Sequence, residues 1–130
     1  VEYRNPEPYL NLDIDTVYIS GGNTFATMKL IRNAGFDKVI SEYVRKGAIY
    51  IGGSAGAHIA CVDISHVIRY DENSVGLTDF NGLGLYPGIL ICHYSAERRE
   101  HLNELLAQDK YPVRMLTDED VLVLETSNDE

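Results

Sequence analysis

The stretch Ala48-Ile49-Tyr50-Ile51-Gly52-Gly53-Ser54-Ala55-Gly56-Ala57-His58-Ile59-Ala60 decides the fold. An apolar, β-branched and aromatic run enters a pair of glycines, and small residues lead out of it. That order reads as a buried strand, a sharp turn and a closely packed helix over Ala55 to Val62. Gly52 to Gly56 matches G-x-S-x-G, in which a serine stands on a strained turn at the C-terminal edge of a sheet. Side chains in place of the flanking glycines would collide with the strand and the helix. The amide of Ala55, at a helix N-terminus, is placed to donate to an oxyanion. The plainer reading is a glycine-rich turn whose serine only caps the helix.

Working outward, Asp15 to Ser20 reads as a short buried strand ended by Gly21 and Gly22. Asn23 or Thr24 caps a helix through Ile31, with Phe25, Met28 and Ile31 on one face and Gly35 as its stop. Asp37 to Lys46 is a second helix with Val39, Ile40, Tyr43 and Val44 as its apolar stripe. The segment from Asp63 to Gly88 is rich in Gly, Asp and Asn and reads as a long loop with a short strand at His66 to Tyr70. Ile89 to Cys92 is a buried strand, and Ala96 to Ala107 a helix. Tyr111 to Leu116 and Val121 to Glu125 read as two more strands, separated by the acidic turn Thr117 to Asp120. Helices between buried strands imply an α/β three-layer sandwich with a mostly parallel sheet.

The chain has 130 residues and a formal charge of −9, with 45% apolar residues and four prolines. Residues 1–130 therefore read as one packed domain. An acidic chain without a Lys or Arg run is a poor partner for nucleic acid or an anionic membrane surface. No apolar stretch reaches the roughly 18–20 residues of a membrane span. Cys61 and Cys92 are too few for a disulfide framework or a structural zinc site, so a cytoplasmic location is expected.

A nucleophilic Ser54 needs a base. His93 follows the strand Ile89 to Cys92, at the sheet edge where open α/β folds place their sites. His58 is the rival, four residues after Ser54 on the same helix, but it would approach from inside that helix. His66 and His101 read as ordinary polar-face residues. The orienting carboxylate is expected from Asp118, Glu119 or Asp120, in the turn after Leu116. The loop Ser20-Gly21-Gly22-Asn23 lacks the spacing of a phosphate loop. It fits better as the source of a second oxyanion amide at Gly22, with Asn23 as a candidate substrate contact.

These residues resemble a known family. Val17-Tyr18-Ile19-Ser20-Gly21-Gly22-Asn23-Thr24-Phe25, then the Tyr50–Ala60 segment, then Gly82 to Tyr94 followed by an arginine-bearing helix, look like the dipeptidase E and cyanophycinase group, peptidase family S51. The resemblance runs from about Asp15 to Leu124. It implies a flavodoxin-like sheet similar to class I glutamine amidotransferases and a Ser-His-Glu triad in that chain order. Ser54 matches the nucleophile, His93 the base, and Asp118 falls on the acid, so Asp replaces Glu. Gly22 and Ala55 match the oxyanion amides. Arg98 or Arg99 matches the arginine that binds a substrate aspartate side chain.

Three departures stand out. Ser20 replaces a glycine, Cys92 replaces a proline, and the loop from His93 to the arginines is short. Family members also carry about two further strands before Asp15 in the doubly wound pattern. The chain, lacking those N-terminal strands and so left with an exposed edge strand, is therefore expected to be part of a longer protein. The resulting expectation is a serine-type peptidase acting on short peptides, including dipeptides with N-terminal aspartate, without metal or organic cofactor. A homo-oligomer is left open. The alternatives are an α/β-hydrolase-like esterase, which has a different usual chain order of base and acid, and a non-catalytic binding domain that keeps the fold.

Overall fold

The structure is a computed structural model that describes residues 5–10 and 12–124. Strands β1 (Thr16–Ile19) and β2 (Ile49–Gly52) pair in parallel, with Val17 opposite Tyr50 and Ile19 opposite Gly52. A parallel pair needs a crossover, which helices α1 (Thr24–Asn33) and α2 (Phe36–Arg45) supply. Gly35 separates them at φ 79°, a left-handed conformation that favours glycine. On α1, Phe25, Met28 and Ile31 are fully buried. Each such side chain contributes about 1.5–3 kcal/mol by leaving water. They share one core with Ile19, with Val39, Ile40 and Tyr43 of α2, and with Ile59.

Helix α3 (Ala55–Ala60) packs against β1, β2 and a third strand, β3 (Ile89–Ile91). Strand β3 pairs in parallel with β4 (Val113–Met115) after crossover through α4 (Arg99–Gln108). Ile89 and Ile91 pack with Leu105, whereas Leu90 packs with Cys61 and Cys92. Burial on both faces is what a parallel strand between helical layers requires. The fold is thus α/β with parallel strand pairs, as expected. The two pairs form separate ladders, with a cavity of about 450 Å³ whose walls include Tyr50 and Gly52 of β2 and Leu90 of β3. On β1 and β2 the residues Tyr18, Ile49 and Ile51 share one face and are exposed. Among the described residues no helix is long and apolar enough to cross a membrane.

The exposed face of β1 and β2 departs from the expectation of buried strands, and three further expectations change. The strand expected at His66 to Tyr70 is a 3₁₀ helix, Ser65–Arg69. His66 and Val67 are buried side by side while Ile68 and Arg69 are exposed, a pattern no alternating strand produces. Val121 to Leu124 forms no strand: Val121 and Val123 are exposed and only Leu122 packs inward. Glu125, the last residue of that expected strand, lies outside the described residues. The helix expected from Ala96 starts as a 3₁₀ turn, Ala96–Arg98, and becomes α-helical at Arg99.

Candidate active site

Two of the elbow's three glycines, Gly52 and Gly56, have no room for a side chain, whereas Gly53 does. A Cβ on Gly56 would stand 2.0 Å from the carbonyl oxygen of Ile19, and one on Gly52 would stand 2.5 Å from that of Gly56. Helix α3 therefore lies directly against the end of β1. Gly53 N–H donates to the Ile19 carbonyl at 3.0 Å, and the Tyr50 hydroxyl donates to that of Gly56 at 2.6 Å. Between the glycines Ser54 takes φ 51° and ψ −107°, a conformation an L-residue adopts only when its surroundings impose it.

His93 stands two residues past β3, also at a positive φ of 53°. Its Nε2 lies 2.9 Å from Ser54 Oγ, and its Nδ1 lies 2.5 Å from Asp118 Oδ1. The tautomer with Nδ1–H donating to Asp118 leaves Nε2 to accept from the serine hydroxyl. The main chain supports this juxtaposition, because Tyr94 N–H donates to the Leu116 carbonyl at 2.8 Å. That bond ties the loop after β3 to the loop after β4.

The three acids of the turn separate by geometry. Asp120 Oδ2 accepts from Thr117 N–H at 2.8 Å, which holds its carboxyl below the usual range. Glu119 contributes its backbone N–H to Thr117 Oγ1. Asp118 is the acid that meets His93. The side chains of His93 and Asp118 are 51% and 75% exposed, so the site is open to solvent.

The β1–α1 loop lies against the elbow: a Cβ on Gly21 would be 3.6 Å from Ser54 Cβ. Gly22 takes φ 140°, which glycine adopts without strain. The Gly22 and Ala55 amides have no hydrogen-bond acceptor among the described residues. Asn23 caps α1 through Oδ1, which accepts from Ala26 N–H at 3.0 Å, and its Nδ2 donates to the Glu72 carbonyl at 2.8 Å. Its side chain is thus engaged in fixing the loop.

Arg98 is half-buried and Arg99 exposed. The Arg98 guanidinium lies 3.8 Å over the Tyr70 ring and donates from Nη1 to the Cys92 carbonyl at 2.6 Å. His58 does not reach towards Ser54. It sits among Thr24, Cys92 and the ring of His66. The expectation that His66 and His101 lie on polar faces is overturned: both are buried, in a row of rings with His58 and Tyr70. His66 Nε2–H donates to the Leu90 carbonyl at 2.6 Å. Most of these links join residues 24 to 35 positions apart, and no local spacing announces them. Among the described residues no group of three or more His, Cys, Asp or Glu side chains is arranged to hold a metal ion.

The arrangement brings a hydroxyl, an imidazole and a carboxylate into one line, with the β1–α1 loop and the start of α3 beside the serine, groups of the kind acyl transfer uses. The family model of peptidase family S51 matches residues 7–129. An uncharacterized peptidase of Listeria monocytogenes is 36% identical over 83 residues, covering 62% of this chain and 40% of that protein. Peptidase E of Salmonella typhi is 34% identical over 101 residues, covering 71% of this chain and 43% of its own. A solved structure from Listeria monocytogenes EGD-e, provisionally assigned there as a peptidase E, superposes with a TM-score of 0.69 at 27% identity. It covers 87% of this chain and 60% of that one. The chain thus spans about two fifths of the length of the curated relatives it matches.

Proposed function

The chain belongs to peptidase family S51, and from that membership we propose that it carries the site of a serine-type peptidase acting on short peptides. The observation that supports the reading most directly is the line from Ser54 Oγ through the His93 ring to Asp118. Ser54 attacks the scissile carbonyl while His93 Nε2 takes its proton and then returns it to the leaving amine. Asp118 accepts from Nδ1–H, holding the ring in the useful tautomer and stabilising the imidazolium. The Gly22 and Ala55 amides donate to the oxygen of the tetrahedral intermediate. Water then repeats the sequence on the acyl-enzyme, with His93 again as base.

Dipeptides with an N-terminal aspartate are the proposed substrates. One face of the Arg98 guanidinium is taken by Tyr70 and one nitrogen by Cys92. The remaining N–H groups, or those of Arg99, pair with the substrate carboxylate. Asn23 meets the substrate through the loop backbone that its side chain holds. The reaction needs no metal or organic cofactor. A cytoplasmic location accords with the free, buried thiols of Cys61 and Cys92.

A fluorophosphonate probe tests the reading. Labelling of the wild type at Ser54, absent from Ser54→Ala, together with hydrolysis of Asp-Leu, supports it. A wild type that neither labels nor hydrolyses leaves the fold with a binding role only.

A further inference from the structure

We propose that His58 is a positioning residue that fixes the backbone of His93 and of the Gly22 loop at once, by bonding Cys92 and Thr24, without touching substrate. The proposal rests on the peptidase reading above. His58 belongs to α3, the helix that follows the nucleophile. Its Nε2 accepts from Cys92 N–H at 3.4 Å, directly before His93. Its Nδ1 lies 3.3 Å from Thr24 Oγ1, two residues beyond Gly22. Since Nε2 accepts from an amide, Nδ1 carries the proton and donates to the threonine hydroxyl. One imidazole on the elbow helix thus joins two of the other segments of the site, the Gly22 loop and the strand end before His93.

The surroundings make the two bonds consequential. Cys92 is buried and Thr24 fully so, so neither finds water if the imidazole is removed. The other polar backbone group of Cys92, its carbonyl, is held by Arg98. Both peptide units flanking the Cys92 Cα are therefore fixed by side chains, and the next residue is one held at positive φ. Released at Cys92, the His93 backbone relaxes and its ring drifts from Ser54. The Thr24 end is anchored in turn, since Thr24 N–H donates to Asp71 Oδ2 at 2.8 Å. Burial holds His58 well below its ordinary pKa, to about 4, so the neutral, accepting ring is the form present near neutrality.

Three variants separate positioning from mere packing. His58→Gln places an amide oxygen near the Nε2 position and keeps an acceptor for Cys92 N–H. His58→Asn is too short to reach it, and His58→Leu fills the space without polar atoms. Expected for Leu and Asn is a fall in kcat of about 10–100-fold, the cost of a misplaced catalytic group. KM should stay within about three-fold of wild type, and Gln should restore kcat to within about five-fold. Hydrogen exchange of the Cys92 amide is the second readout, with the Ile89 amide, which donates to Pro112, as the internal standard for global opening. Cys92 exchange should quicken at least about ten-fold in Leu and Asn, but not in Gln, while Ile89 is unchanged. Should Leu fail to fold, the Gln and Asn pair decides. Wild-type kcat in Asn, or equal losses in Gln and Asn with unchanged Cys92 exchange, overturns the proposal. A wild type unreactive towards substrate and probe overturns the peptidase reading instead, and Cys92 exchange then decides the positioning role alone.

Discussion

Ser54 and His93, 39 residues apart, meet at 2.9 Å with both backbones at positive φ. Among the described residues only Asp109, which ends α4, is a further non-glycine at positive φ. Left-handed conformations cost a side-chain-bearing residue roughly 1–3 kcal/mol, so each must be imposed by its surroundings. At Ser54 the cause is the tight contact of Gly56 with β1. At His93 it is the fixing of Cys92 on one side and the Tyr94–Leu116 bond on the other.

Replacing Ser54 with Ala should abolish dipeptide hydrolysis and leave the melting temperature near that of wild type. Ser54 loses one oxygen from a half-exposed turn, and the backbone strain remains. The expected fall in kcat is on the order of 10⁴–10⁶, and His93→Ala should be comparably damaging because the members act as a unit. Steady-state kinetics on a preparation free of host peptidases checks this. Undiminished turnover in Ser54→Ala removes the serine mechanism.

Asp118→Asn should lower kcat by roughly 10²–10⁴ by misorienting the imidazole. Glu119→Gln should change it little, since that residue meets the turn through its backbone. Asp120→Asn should act through stability, because its carboxylate closes the turn on Thr117 N–H. A thermal melt and a kcat for each variant distinguish the three acids. A loss centred on Glu119 would reassign the orienting group.

The elements that the sequence made legible are those with local causes. Gly35 and Gly47 end α1 and α2, and the Phe25, Met28 and Ile31 spacing sets the buried face of α1. The elbow was legible because its pattern is compact: Gly52 answers a steric demand made by Gly56, four residues on, although the demand on Gly56 itself comes from Ile19 of β1. The segment after Cys61 was not, because its shape is set from outside. His66 is buried against Leu90, 24 residues away, and this inward pull winds Ser65–Arg69 into a 3₁₀ turn rather than a strand. Local spacing presents His58 only as a rival base. Its place between Thr24 and Cys92 depends on two contacts 34 residues away in each direction.

Aspartate preference should depend on one arginine rather than both. Arg98 is half-buried beside Cys92, whereas the neighbouring position on the turn is exposed. A guanidinium fork pairs with a carboxylate in two hydrogen bonds, which a lysine cannot reproduce. Rates on Asp-Leu, Asn-Leu and Ala-Leu should differ in the wild type, and Arg98→Ala should flatten the difference while Arg99→Ala keeps it. Equal wild-type rates on all three substrates reject an aspartate pocket.

Stability should fall as the solution is acidified from about pH 6.5 towards 4, before the bulk of the carboxylates titrate. His58 is the leading cause: burial lowers its pKa from 6.5 to about 4, with His66, Arg98 and His93 adding positive charge nearby and only Asp71 opposing. His66 and His101 are lowered as well, each chiefly by burial. A lowered folded-state pKa means that the unfolded chain binds more protons across this window, so unfolding is favoured as pH drops. The stability is fully present above 6.5 and is lost as pH falls to the folded value. For His58 alone the shift corresponds to on the order of 3 kcal/mol, an upper figure for a group that relaxes on protonation. Urea denaturation at pH 7.5, 6, 5 and 4 measures the slope. His58→Gln, which cannot titrate, should lose less stability than wild type between pH 6.5 and 4, and an equal loss in both proteins assigns the acid sensitivity to other groups.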